Sequence, residues 1–140
     1  SALKKETKVQ PSVETALQTG HETILMVEDE TALLDMAKVM LDNLGYTVLT
    51  AGTPDEAITV CNTTKAKIHL LMTDVVMPTM NGYELAKKIS SASPGVKILY
   101  MSGYTANVIA HKGVLNQGVN FIGKPFSMQE ISTKLRQILG

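Results

Sequence analysis

Ile68-His69-Leu70-Leu71-Met72-Thr73-Asp74, running on into Val75-Val76-Met77-Pro78-Thr79-Met80-Asn81-Gly82, is the stretch on which the reading of this chain turns. A strand-sized apolar run ends on a carboxylate and opens a turn. An ionised aspartate at the end of a buried strand is costly unless something stabilises it, because desolvating a lone charge is unfavourable. Two other places in the sequence offer help. Glu28-Asp29-Glu30 closes the apolar run Ile24-Leu25-Met26-Val27, and Lys124 closes Val119-Asn120-Phe121-Ile122-Gly123. If these runs are parallel neighbours in one sheet, acids and a lysine meet at a single edge. That combination suits a divalent cation and a phosphoryl group.

Outward from this stretch the chain alternates between short β-like runs and amphipathic helical segments. The first strand is expected over Thr23 to Val27. A helix follows with Leu33, Leu34, Ala37, Met40, Leu41 and Leu44 at three-and-four spacing, ending at Gly45, which can adopt a left-handed conformation. Tyr46 to Thr50 reads as the second strand. Thr53-Pro54-Asp55-Glu56 is a capping box with Pro at the first helical position, giving a helix to about Asn62. Ile68 to Thr73 is the third strand, and a helix from Asn81 or Gly82 carries Leu85, Ala86 and Ile89 until Ser93-Pro94-Gly95 breaks it. Val96 to Met101 is the fourth strand. Thr105 to Gly118 holds one apolar cluster and two glycines, which predicts a short or irregular fourth helix. Val119 to Ile122 is the fifth strand. Ser127-Met128-Gln129-Glu130, a second capping box, starts a last helix with Ile131, Leu135, Ile138 and Leu139 inward.

Five strands alternating with helices imply an α/β fold: a parallel sheet covered on both faces, in a three-layer α/β/α sandwich. Ligands in such sheets bind beyond the carboxyl ends of the strands, and Asp29, Asp74, Ser102 and Lys124 all fall there. Residues 1–20 lack an apolar period and carry Lys, Thr, Gln and Pro, so they read as a linker or loosely held tail, with the domain over 21–140. Thirteen basic residues balance thirteen acidic ones, which argues against direct nucleic-acid binding or a polybasic membrane anchor. No apolar run approaches the ~20 residues that cross a bilayer. A single cysteine, Cys61, excludes an internal disulfide framework and fits a reducing, cytoplasmic compartment. The start at Ser1 rather than Met suggests a processed or excised piece.

Taken in order, four segments carry a resemblance to the receiver domains of two-component signalling. They are Val27-Glu28-Asp29-Glu30, Met72 to Pro78 with Asn81-Gly82 following, Met101-Ser102-Gly103-Tyr104, and Gly123-Lys124-Pro125-Phe126. The similarity spans Thr23 to Leu139 and brings with it the flavodoxin-like strand order 2-1-3-4-5. The flanks Gly20 to Glu30 and Tyr100 to Thr105 look most like C-terminal receivers of hybrid sensor histidine kinases, which would place the domain on the cytoplasmic part of a membrane-bound sensor.

The resemblance implies that Asp74 accepts a phosphoryl group from a phosphohistidine. Bringing a carboxylate to a phosphoryl group brings anions together, so a metal and fixed donors would lower the barrier. Mg2+ or Mn2+ is the expected cofactor, held by Asp29, Asp74, the Val76 carbonyl and Glu28 through water. Lys124, followed by a family-like cis Pro125, would neutralise one phosphoryl oxygen, and the Ser102 hydroxyl another, with Gly103 leaving room. Phe121 matches the family's switch aromatic, its ring entering space that Ser102 vacates. Val76 and Tyr104 hold the positions that tune hydrolysis and carry no group to orient water, so slow self-dephosphorylation is expected. The partner is a histidine kinase or histidine phosphotransfer domain docking at the first helix; a homodimer is open.

The bland alternatives have their own physics. Acids at a strand-to-helix junction also serve as favourable charges at a helix N-terminus, a Ser-Gly pair is ordinary turn chemistry, and a strand Phe is ordinarily core. His21, His69 and His111 lack metal-ligand spacing, and the eight methionines read as adaptable filler. An aspartate-nucleophile phosphatase needs an acid two residues past Asp74, where Val76 stands. A nucleotide-binding module needs glycines where Glu28-Asp29-Glu30 lies. A receiver-like interaction module that is never phosphorylated is the remaining rival. The fragment is therefore expected to be a phosphoacceptor and not an enzyme acting on others, without a DNA-binding effector before Gly140.

Overall fold

The computed structural model describes residues 17–103 and 119–140. Five strands, β1 (Thr23–Val27), β2 (Thr47–Ala51), β3 (Leu70–Asp74), β4 (Lys97–Ser102) and β5 (Asn120–Gly123), form one sheet in the order β2-β1-β3-β4-β5, all neighbours parallel. Four described helices accompany them: α1 (Thr31–Asn43), α2 (Pro54–Thr63), α3 (Gly82–Ala92) and α4 (Met128–Leu139). The expected fourth helix over Thr105 to Gly118, with Tyr104 and His111, lies outside the described residues, as do residues 1–16.

Strand periodicity decides which helix covers which face, since successive side chains point to opposite sides. Ile24 and Met26 of β1 join Leu41 and Leu44 beside α1 and Ile131 and Leu135 of α4 on one face. Leu25 and Val27 join Ala57 of α2 and Leu85 and Ile89 of α3 on the other. Every residue of β1 and β3 is buried, as central parallel strands between two helical layers must be.

β1 has the expected ends, and those of the other four strands lie one or two residues later than expected. β3 begins at Leu70, not Ile68, because the first register partner of Ile24 is Leu70. It also runs through Asp74, which pairs with Met101. The Asp74 carboxylate is thus carried on the ladder and inherits its rigidity. At α2 the Thr53 side chain accepts the Glu56 amide, but the Glu56 carboxylate reaches back to the Gly52 amide instead of Thr53. The reciprocal box expected there is half formed. Complete boxes cap α3, between Asn81 and Glu84, and α4, between Ser127 and Glu130. Gly45 follows α1 at φ 99°, the left-handed conformation foreseen for it.

Candidate phosphoacceptor site

Parallel pairing in register carries three chain positions to one edge. Val27 pairs with Thr73, Asp74 with Met101, and Ser102 with Gly123. The residues just beyond these pairs are Glu28, Val75 and Lys124. The ladder continues into the loops: the Val75 amide donates to the Met101 carbonyl at 3.0 Å and the Lys124 amide to the Ser102 carbonyl at 2.8 Å. Backbone order therefore sets where the side chains meet.

Lys124 Nζ lies 2.8 Å from Glu28 Oε1 and 3.0 Å from Asp74 Oδ2. Glu28 is 1% exposed and Asp74 6%. The second Glu28 oxygen accepts the Glu30 amide at 3.1 Å. Asp29, exposed, completes a trio with Glu28 and Asp74 in which one carboxylate oxygen from each lies within 4.8 Å of the others. Ser102 is buried at the same edge. The Lys124–Pro125 peptide is cis. Val76, two residues past Asp74, is 56% exposed. Phe121 is half-buried, beside Tyr100 in register, against the α2 and α3 side of the sheet.

Electrostatics follow from burial. Burial pushes Asp74 up to about 6, with Glu28's charge adding to the rise and Lys124 opposing it. Burial also acts to raise Glu28, but the bonds from Lys124 and the Glu30 amide outweigh it and hold the group below its usual range. Lys124 is pulled down by burial and lifted further by both carboxylates, so it stays protonated. Of the two acids Glu28 has the more donors and is the better stabilised anion. At neutral pH Glu28, Asp29 and Asp74 confront one ammonium group. The excess negative charge, all of it on oxygen ligands, matches a hard divalent cation.

Gly82 is the residue whose part the sequence left unexplained. A Cβ there would collide with the Asp74 carbonyl oxygen, and its amide donates to the Val75 carbonyl at 2.8 Å. The turn after the phosphoacceptor candidate closes only on glycine. Thr79, at φ 71°, lies in the same turn.

A central parallel sheet with acids, a hydroxyl and a lysine at the carboxyl ends of its first, third, fourth and fifth strands defines a flavodoxin-like domain with its candidate site at that edge. Comparison with known proteins makes this specific. The family described as "Response regulator receiver domain" matches residues 24–136, and the chain belongs to that family, within two-component signalling. It is 30% identical over 135 residues to a sensor kinase, CckA, of Brucella abortus, covering 96% of this chain and 14% of that protein. It is 31% identical over 117 residues to a probable transcriptional regulatory protein, TcrX, of Mycobacterium tuberculosis, covering 84% of this chain and 49% of that one. The chain thus spans at most about half the length of these relatives. The crystal structure of the receiver domain from the hybrid histidine kinase CckA superposes with a TM-score of 0.71 at 31% identity, over 84% of this chain and 99% of that one. A Vibrio cholerae chemotaxis response regulator, CheY4, gives 0.72 at 27% identity, over 86% of this chain and all of its own.

Proposed function

We propose that the domain takes a phosphoryl group from a phosphohistidine onto Asp74, with Mg2+ or Mn2+ bound, and that the resulting change of shape is its signal. The observation that carries this is the half-buried Lys124 bridging the buried Glu28 and Asp74 at the carboxyl ends of β1, β3 and β5. Octahedral ligands ~2.1 Å from a magnesium ion lie ~3 Å apart when adjacent and ~4.2 Å when opposite, so the trio within 4.8 Å needs little rearrangement. Asp29 and Asp74 would hold the ion, with Glu28 through water and the Val76 carbonyl. Bound there, it would supply the positive charge that lets two anions approach.

The chain's own residues do the rest. An Asp74 carboxylate oxygen attacks phosphorus as the phosphorus–nitrogen bond to the donor histidine breaks, leaving the imidazole with the electron pair. Lys124, always charged here, shifts from two carboxylates toward a phosphoryl oxygen, and Ser102 offers its hydroxyl to another. Phe121 then takes space that Ser102 yields. Val76, exposed and apolar, orients no water, so the acyl phosphate persists.

The donor is a histidine kinase or phosphotransfer domain. Leu33, Met36 and Met40 of α1 line an apolar cavity with Lys124 and Phe126, and Met36 and Val39 are 52% and 58% exposed. An amphipathic helix of the donor, carrying its histidine, fits that face. Similarity to hybrid-kinase receivers supports a place in such a parent protein.

The test is incubation with a small acyl-phosphate or phosphoramidate donor. Magnesium-dependent, stoichiometric labelling that Asp74→Asn abolishes is expected. Absence of labelling leaves the unphosphorylated interaction module, and turnover of many donor equivalents leaves the phosphatase.

A further inference from the structure

At the end of the sheet opposite Asp74, roughly 15 Å away along β1, residues 17–22 are gripped by the last helix. Ser132 is fully buried in α4; its hydroxyl accepts the Gln18 amide at 2.7 Å and donates to the Gln18 carbonyl at 3.0 Å. One turn further, Arg136 donates to the Thr19 carbonyl at 3.3 Å and to Glu22 at 2.6 Å, with its guanidinium 5.8 Å from the centre of the Tyr46 ring. The Gly20 amide donates to the Leu44 carbonyl at 2.9 Å. Gly20 crosses the Tyr46 ring so closely that a Cβ would overlap it, and a Cβ on Gly45 would strike the Gly20 carbonyl. Glu22 joins the sheet only through its carbonyl, which accepts the Thr47 amide at 3.0 Å; the rest of the segment is held by Ser132, Arg136 and the Leu44 carbonyl.

The same helix begins at the phosphoacceptor pocket. Lys124 leads through Pro125 and Phe126 to the Ser127 cap, and Ser132 and Arg136 follow about one and about two turns into α4. A helix is rigid on this scale, so movement at its N-terminal loop is felt at its C-terminal half.

We propose that residues 17–22 are a strap whose hold on α4 is coupled to the state of Asp74, so that phosphorylation loosens the chain entering the domain. This rests on Asp74 being the phosphoacceptor. When Lys124 leaves Glu28 for a phosphoryl oxygen, the loop that starts α4 moves with it, and the Ser132 and Arg136 contacts shift against the strap. The chain entering the domain at Leu17 is then held less tightly, which gives the receiver an output through residues 17–22.

Amide hydrogen exchange on the full chain tests this. Gln18 and Gly20 are expected to be protected in the unphosphorylated protein and to exchange about fivefold faster or more once Asp74 is labelled, a factor typical of coupled sites. Coupling is reciprocal. Ser132→Ala, or Arg136→Gln should the former not fold, is therefore expected to speed Gln18 exchange and to tighten binding of beryllofluoride, a non-covalent phosphoryl mimic, by a factor that does not exceed the speed-up that labelling produces in the parent. Unchanged exchange in protein fully labelled by mass overturns the strap alone, as does free exchange at Gln18 before labelling. Failure to label at all overturns the phosphoacceptor reading and the coupling with it.

Discussion

Replacing Lys124 with methionine removes the lysine cation from a pocket of acids while keeping most of the side-chain volume. Glu28, 1% exposed, then keeps the Glu30 amide and Asp29 but no cation, and Asp74 loses its 3.0 Å partner. Removing one member of a buried pair costs ~3–5 kcal/mol. The lower end applies, because the Lys124 side chain is 17% exposed and Asp74 can take up a proton. At roughly 4 °C per kcal/mol for a domain of this size, a loss of ~3 kcal/mol lowers Tm by ~12 °C. The pH dependence has a definite sign. Without the lysine Asp74, already raised by burial and Glu28, lies further above its unfolded pKa, and Glu28 loses a contact that lowers it, so the stability these carboxylates contribute falls as pH rises from the acid range. The gap from the unsubstituted protein should close in acid and open toward neutrality. Circular dichroism melts in EDTA across pH measure it. Magnesium should then stabilise the variant more than the parent, since it supplies the missing charge. An unchanged Tm in EDTA at neutral pH, or a gap independent of pH, would refute the electrostatic account of this pocket.

Asp74→Asn should not merely block labelling; with burial and Glu28 both disfavouring the charge, it should raise metal-free stability at neutral pH by ~1–2 kcal/mol, read by urea denaturation. Because Asp74 titrates at about 6 and a proton competes with the ion, calorimetric Mg2+ affinity should climb with pH up to about 6 and flatten above it. Gly82→Ala should cost ~1–3 kcal/mol through overpacking against the Asp74 carbonyl and slow labelling, whereas Gly95→Ala, with open space around it but positive φ, should leave labelling unchanged. Val76→Asn places an amide two residues past Asp74 and should shorten the lifetime of the phosphorylated form; an equal lifetime would remove Val76 from any role in protecting it.

The site was legible because parallel pairing converts sequence order into position. Once the apolar runs ending at Val27, Thr73 and Gly123 are taken as neighbours, Glu28, Asp74 and Lys124 must share an edge, and the structure places them within hydrogen-bond reach. Periodicity also gave the helices, since α1 and α4 bury one stripe each. What escaped has a common cause in contacts between residues distant in sequence. Nothing near Gly82 tells that the Asp74 carbonyl lies where its side chain would be. Nothing near Gln18 tells that Ser132, 114 positions on, would hold it, so residues 17–20 read as tail although they are bonded. The α2 box failed for a local reason, the Gly52 amide competing for the Glu56 carboxylate.

Borohydride reduction of the labelled protein tests the central claim most directly, because it converts an aspartyl phosphate to homoserine and leaves a permanent mark on the residue that carried it. Peptide mapping should find homoserine at position 74 alone, and only when magnesium was present during labelling. A mark at Asp29 or Glu28, phosphate on His21, His69 or His111, or the same yield in EDTA would contradict the account.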